Sequence, residues 1–299
     1  MALLISSSNH SNLGLSWSTP ISSLIRDDFV LPDAYSTQHV TLEDALSHRT
    51  GMPRHDFSYG GIKPDGTKRG VRDVVRSLRD LPLSAELRTR FQYCNMMFVV
   101  VSHVVETLTG MWLGDFLKEK IWEPLEMEST YFSTSAAQAA PEPLAQGYVY
   151  HDEKYEPVPP MDLHIVSGAG SIISNVLDYS KWIRAFLTTS GPLSASDYAA
   201  LKSPRTLMPS DELPGPYTGP LAYSLGWFTG TYQGYEFFQH SGGMEAFGAE
   251  VLIFPALSYG LVSFGNTAST SNAVEMKLLF HLLDEKLGIP HDKRWDWDK

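Results

Sequence analysis

Past Pro220 the chain changes character, and that change limits the folds open to it. Four runs, SLGWFTGTY, YEFFQHS, AFGAEVLIF and YGLVSFGNT, are rich in aromatic and β-branched residues and are separated by Gly- or Pro-containing turns. This pattern predicts consecutive antiparallel strands joined as a meander. A sheet needs cover, and SNAVEMKLLFHLLDEKLG, which follows at once, returns to helical spacing and is expected on one of its faces. The fold class is therefore α+β, an antiparallel sheet flanked by helices. Trp227, Phe228, Phe237 and Phe238 alternate as β residues do and are assigned to the core rather than to a substrate platform.

The first two thirds of the chain carry helical signals. VTLEDALSHRTG is read as a short helix capped by Thr41 and ended near Gly51, with Pro53 beyond. VRDVVRSLRDLP places Val71, Val74, Val75 and Leu78 on one face and stops before Pro82. Residues 96–109 and 111–122 are parted by Gly110 and are expected to form a helical hairpin. Residues 134–160, rich in Pro, Ala, Glu and Tyr without a clear period, are expected to be loop. SNVLDYSKWIRAFLTT reads as one more helix, capped by Ser174 or Asn175. No internal repeat is present. The expected organisation is a single domain over 1–299, with a mostly helical subdomain over roughly 40–165 and a sheet-containing subdomain over 166–299.

Composition removes several classes of function. The formal charge is -11, from 34 acids against 23 bases, without a block of like charge, which argues against nucleic acid as a partner and against a charged membrane patch. The longest apolar run, MMFVVV, is far short of the roughly 20 residues that cross a bilayer. MALLISSSNHSNLG lacks a basic region before its short apolar stretch and makes a poor signal peptide. One cysteine, Cys94, allows no intramolecular disulfide. Together these features lead to the expectation of a cytoplasmic protein that binds neither membrane nor nucleic acid. His48, His55, His103 and His240 show no metal-ligand spacing, so neither metal nor cofactor is expected.

Four short stretches carry chemistry when taken together: LSHRTGMPRHD at 46–56, YCN at 93–95, SGAGSIIS at 167–174 and HSGG at 240–243. Singly each is weak. In this order and spacing, with RFQYCN, WEPLEMEST and YSLGWF between them, they resemble the serine β-lactamase and penicillin-binding-protein family. The branch indicated is the one containing class C β-lactamases, related esterases and fungal transesterases. The resemblance runs from about residue 13 to residue 288 and implies a β-lactamase/transpeptidase-like fold, shortened at its N-terminus.

The resemblance also implies roles. Tyr93 matches the tyrosine that acts as general base or relays protons, a role that calls for a phenolate or a lowered pKa near a cation. Asn95 matches the amide that holds the substrate's acyl side chain. His240, Ser241 and Gly242 match the Lys-Thr-Gly triplet of the strand lining the cleft, and the N–H of Gly243 matches an oxyanion-hole donor. Histidine in place of lysine is mostly neutral at pH 7 and cannot hold a β-lactam carboxylate by charge, which points toward esterase, peptidase or transesterase chemistry.

The family nucleophile lies in Ser-x-x-Lys, where a spacing of three puts hydroxyl and amine on one helix face. No lysine of this chain has a serine three residues before it. By the resemblance the motif would fall just before Met1. Cys94 is read as structural, because the middle residue of the triplet points away from the cleft in the family, and Ser6, Ser7 and Ser8 have no lysine or histidine at helical spacing.

Two functions follow. One is a hydrolase or acyltransferase acting on a small-molecule ester, thioester or amide, possible in secondary metabolism by the transesterase likeness. The other is a catalytically impaired family member that binds a small molecule or serves as a scaffold. The substrate, the acyl acceptor and the oligomeric state stay open.

Overall fold

The computed structural model describes residues 1–11, 14–209, 211, 215–267 and 270–297. Its helices are α1 (Ala2–Ser11), α2 (Ala34–His39), α3 (Leu42–Leu46), α4 (Val71–Ser77), α5 (Asn95–Thr109), α6 (Leu113–Leu117), α7 (Thr134–Ala139), α8 (Val176–Thr188), α9 (Ala195–Lys202) and α10 (Thr270–Leu287). The strands are β1 (Gly147–His151), β2 (Lys154–Val158), β3 (Thr206–Leu207), β4 (Thr218–Tyr223), β5 (Phe228–Tyr232), β6 (Tyr235–Met244), β7 (Phe247–Phe254) and β8 (Tyr259–Gly265). Strands β3 to β8 form one antiparallel sheet in sequence order, the expected meander with β3 and β4 added at its start.

The sheet is covered on both faces. Phe237 and Phe238 are neighbours in the chain and both are buried, yet they belong to different layers, because successive side chains of a strand point to opposite sides. Phe237 packs with Phe228, Tyr232, Leu252 and Phe254 against Leu279, Phe280 and Leu283 of α10. Phe238 packs with Trp227, Val251 and Ile253 against Ile183 and Phe186 of α8 and Tyr198 of α9. Each fully buried aromatic ring contributes roughly 2–3 kcal/mol of transfer free energy, so the helix–sheet–helix sandwich rests on this alternation. The apolar run of α5 is the centre of a separate helical core, with Met96, Met97, Val99, Val100 and Val104 packed among Leu42, Met52, Val74 and Val75.

The helix starts follow their capping chemistry. Thr41 and Asp44 form a reciprocal capping box at α3, and Asn175 accepts from the N–H groups of Leu177 and Asp178 at α8. The expected hairpin at Gly110 is instead a bend of 80°. Gly110, at φ +67°, ends α5, but only two residues separate it from α6, and the Glu106 carboxylate in the last turn of α5 accepts the Leu113 N–H at 3.1 Å. That bond pins the start of α6 to the end of α5 and leaves no length for a reversal. No single helix among the described residues is long and apolar enough to cross a membrane.

Residues 134–160 are also more ordered than expected, containing α7 and the β1–β2 hairpin. The hairpin is mostly exposed, and Pro157 interrupts its second strand, so no polarity alternation marks it. It is fastened to the end of the sheet by Tyr148 N–H donating to Asn266 O at 2.9 Å and by Asn266 Nδ2 donating to Gln146 O at 2.8 Å.

Between the sheet and α10 lie two buried acids, Glu250 of β7 and Glu275 of α10. Burial pushes the Glu250 carboxyl up to about 8, and the nearby Glu275 adds to the rise, while burial raises Glu275 as well. Folding therefore holds a proton on Glu250 that the unfolded chain releases near 4.5. The stabilisation is complete below that pH and is lost as the pH rises toward about 8. In thermal melts, Glu250→Gln is expected to match the wild type near pH 4.5 and to melt several degrees (~4 °C) higher at pH 8.

Candidate active site

The site is built on the turn that follows α3. Asp44, wholly buried, receives Arg49 Nε at 2.6 Å and Arg88 Nη2 at 2.7 Å. Burial pushes its carboxyl upward, but hydrogen bonds from Arg88, Thr41 and Arg49 prevail and hold it below the ordinary range. Glu43 adds a second tie, to Arg49 at 2.5 Å and to Arg205 at 3.1 Å. These charges fix a tight turn in which His48 has φ +55° and Gly51 φ +81°. A Cβ on Gly51 would lie 2.1 Å from the Ala85 carbonyl oxygen, so the chain approaches here as only glycine allows. The turn then holds the segment leading to Tyr93, with Arg88 N–H donating to Arg49 O at 2.8 Å and Gln92 N–H donating to His48 O at 2.7 Å.

His48 is entirely buried, and its Nδ1 accepts the Cys94 N–H at 3.0 Å, which places the ring proton on Nε2. Burial, helped by the nearby His240 and Arg54, holds its pKa well below the usual histidine value, so the ring is neutral. Its centroid is 4.1 Å from that of Tyr93 and 4.6 Å from that of Tyr223. Cys94 is buried with its thiol pushed up to about 12, in keeping with a structural cysteine.

Tyr93 and His240 come together, with ring centroids 6.2 Å apart. The Arg54 guanidinium stands over the Tyr93 ring, 4.5 Å from its centroid. A cation so placed favours a phenolate, but burial outweighs it and pushes the phenol up to about 12. Burial thus works against the phenolate or lowered pKa that the role implied by the resemblance calls for.

Asn95 opens α5, whose N-cap position is held by Cys94, so the Asn95 amide is not spent on capping. Its Nδ2 donates to Asp56 Oδ1 at 3.2 Å, and Asp56 also pairs with Arg54 at 3.3 Å. Arg54, Asp56 and Asn95 form a polar chain around the phenol. Asp56 begins a single 3-10 turn after His55, which is left-handed at φ +48° and bonded through Nε2 to Pro82 O at 2.9 Å.

The opposite wall is β6. Strand β5 accompanies it only as far as the Phe228–Gln239 pair, so from His240 to Met244 β6 is paired with β7 alone. Ser241, Gly242 and Gly243 are exposed along this free edge. His240 Nδ1 lies 2.7 Å from Ser241 O, a contact that only a donor can make, so Nε2 is the acceptor and takes the Tyr223 hydroxyl proton at 2.9 Å. Burial lowers the His240 pKa, and the ring is a neutral one with both nitrogens engaged.

The remaining candidates fall elsewhere. His103 bonds Asp28 at 2.9 Å, so the four histidines have four separate sets of partners. Ser6 donates to Asp197 and Ser7 to Leu4 O, while the Ser8 side chain lies outside the described residues. A cavity of about 510 Å³ begins at Met244 and Gly170 and is lined by neither Tyr93 nor His240. Sequence reasoning missed Arg54, Asp56 and Tyr223, although the first two stand in LSHRTGMPRHD and the third opens YSLGWF.

Residues 11–283 match the family model described as Beta-lactamase. The chain belongs to the Beta-lactamase family. It is 48% identical over 286 residues to an unguisins hydrolase of Aspergillus campestris, covering 95% of this chain and 53% of that protein. It is 44% identical over 300 residues to an unguisins hydrolase of Aspergillus violaceofuscus, covering 94% and 52%. The chain thus spans about half the length of these curated relatives.

Among solved structures, the octameric penicillin-binding protein homologue from Pyrococcus abyssi superposes with a TM-score of 0.77 at 21% identity, over 94% of this chain and 63% of that one. A D-stereospecific amidohydrolase from Streptomyces gives 0.70 at 18% identity, over 92% and 82%. At such identities these likenesses establish the fold alone, a β-lactamase/transpeptidase-like architecture.

Two measurements check the geometry. His48→Ala removes a buried ring and leaves the Cys94 N–H unpaired, and is expected to cost about 3–4 kcal/mol in urea denaturation. Imidazole ¹⁵N NMR is expected to show His240 as the Nδ1–H tautomer. Tyr223→Phe, which takes away the donor favouring neutral Nε2, is expected to raise the His240 pKa.

Proposed function

We propose that this family member hydrolyses, or transfers to an alcohol, the acyl group of a small-molecule ester or amide that bears no carboxylate beside the scissile bond. The observation that carries the reading is the 6.2 Å approach of Tyr93 to His240 across the free edge of β6. In this reading water or an alcohol bonds to the acyl carbon, and the C–O or C–N bond to the leaving group breaks as the leaving group takes the Tyr93 proton. The proton shed by the attacking water or alcohol returns to Tyr93, whose transient phenolate Arg54 stabilises from above the ring. Asn95 binds the acyl side chain, and backbone N–H groups near Gly243 stabilise the oxyanion. Ser241 and Gly242 hold the extended part of the substrate along the strand edge.

His240 supports the choice of substrate class. A neutral imidazole with both nitrogens occupied offers no counter-charge to a carboxylate. Asp56 is close by on the other wall and disfavours an anion further. The names of the Aspergillus relatives lend support to amide or ester hydrolysis on a secondary metabolite of the unguisin kind, which is the substrate type proposed here.

A second reading, binding without turnover, is favoured by one observation: both His240 nitrogens are engaged within the protein, by Ser241 O and by the Tyr223 hydroxyl, so the ring offers no free base. The two are separated by incubating the chain with p-nitrophenyl butyrate and with a serine-reactive fluorophosphonate. The first reading expects p-nitrophenyl butyrate cleavage above buffer, and cleavage of ethyl butyrate, whose alkoxide leaves only with a proton, that drops about 100-fold in Tyr93→Phe. Saturable binding of the ester with no release of nitrophenol, and no labelled serine, would reject it in favour of the second.

A further inference from the structure

We propose that the cavity beyond Met244 is a subsite for an uncharged aromatic or branched aliphatic side chain of the substrate. Its role as a substrate subsite rests on the acyl-transfer reading, whereas its capacity to bind such a group does not.

The first argument is continuity. The free edge of β6 runs from His240 to Met244, and at about 3.3 Å per residue this is a reach of about 13 Å. Met244 closes that edge and opens the cavity, with Gly170 packed so closely that a Cβ there would lie 2.7 Å from Met244 Cε. An extended chain laid along β6 with its reacting carbonyl at the Gly243 N–H therefore brings the side chain of a neighbouring residue to the cavity mouth at Met244, while its other end runs back toward His240.

The second argument is the chemistry of the wall. Leu144, Val158, Met161, Ile173, Phe247 and Phe264 supply most of the surface. Several polar groups of the wall are already engaged within the protein. Tyr131 donates to Glu142 at 2.5 Å, Ser174 bonds Thr130 at 2.8 Å, and the Asn175 side-chain oxygen caps α8. A guest thus finds apolar contact without breaking a hydrogen bond.

The third argument is charge. No lysine, arginine or histidine is present among the described lining residues, and the charged ones are Glu142 and Glu245. A carboxylate brought here loses water and gains no counter-ion. A volume of about 510 Å³ falls in the range of small-molecule sites, about 300–1,000 Å³, and accommodates an aromatic ring with its neighbouring backbone.

Two methionines on the wall, Met161 and Met244, allow a test that needs no turnover. The protein is labelled with [methyl-¹³C]methionine and titrated with N-acetylphenylalanine amide and, separately, with N-acetylphenylalanine, which is anionic at neutral pH. The amide is expected to shift both Met161 and Met244 saturably and to leave Met52, Met96 and Met97, buried in the helical core, unmoved. The acid is expected to bind at least ~10-fold more weakly. Ala249→Phe on β7 and Ala145→Trp on the exposed loop each narrow the cavity and are expected to weaken the amide at least ~10-fold. The loop variant guards against a folding defect in the strand variant. Absence of shifts at both methionines, equal affinity for acid and amide, or full affinity in the loop variant overturns the subsite. Binding without ester cleavage leaves the subsite standing and counts against the acyl-transfer reading alone.

Discussion

One buried ring, that of His48, sits where the helices pack against the sheet. His48 Nδ1 accepts the Cys94 N–H, joining the turn after α3 to the N-cap residue of α5. The ring that makes the bond also fills the space between Tyr93, Phe98 and Tyr223, so one side chain aligns helix, turn and sheet. It does so only while neutral, and burial keeps it neutral. Around it, Asp44 with its two guanidiniums makes the turn rigid, since removing either partner of such a pair leaves a buried charge uncompensated. The helical core and the sheet thereby meet at a fixed angle along the groove.

Across that groove, desolvation decides the protonation states. Tyr93 has a cation above its ring and still keeps its proton, and His240 occupies a position that resembles a lysine's while carrying no charge. In water a guanidinium at 4.5 Å adds little, and inside a protein the loss of solvation is the larger effect. The result is a groove in which the phenol and the imidazole are both neutral, flanked by the Arg54–Asp56 ion pair.

Much of this was legible in the amino-acid sequence, for reasons that differ by element. The meander is visible because β5 to β8 alternate and are parted by short turns, and α3 and α8 are visible because Thr41 and Asn175 cap them. The β1–β2 hairpin is not visible, since its strands bury too little to show a period and one contains Pro157. The 80° bend depends on Glu106 reaching the Leu113 N–H, a side-chain contact that spacing does not reveal. Tyr93 and His240 could be named from their motifs, but Arg54, Asp56 and Tyr223 reach the same groove only through folding. The effect of burial on the Tyr93 phenol is not legible, because burial, unlike a neighbouring charge, leaves no mark in a motif.

Gly51 shows where this architecture is least forgiving. It touches nothing in the groove, yet the Ala85 carbonyl occupies the place a side chain would need, and the strand of contacts from there leads to Tyr93 eight residues on. The phenol's position is thus set by steric exclusion at a distance. A side chain at this one position displaces the segment from Ala85 toward Tyr93 without altering any groove-lining residue, so the fidelity of the groove is decided in the scaffolding behind it.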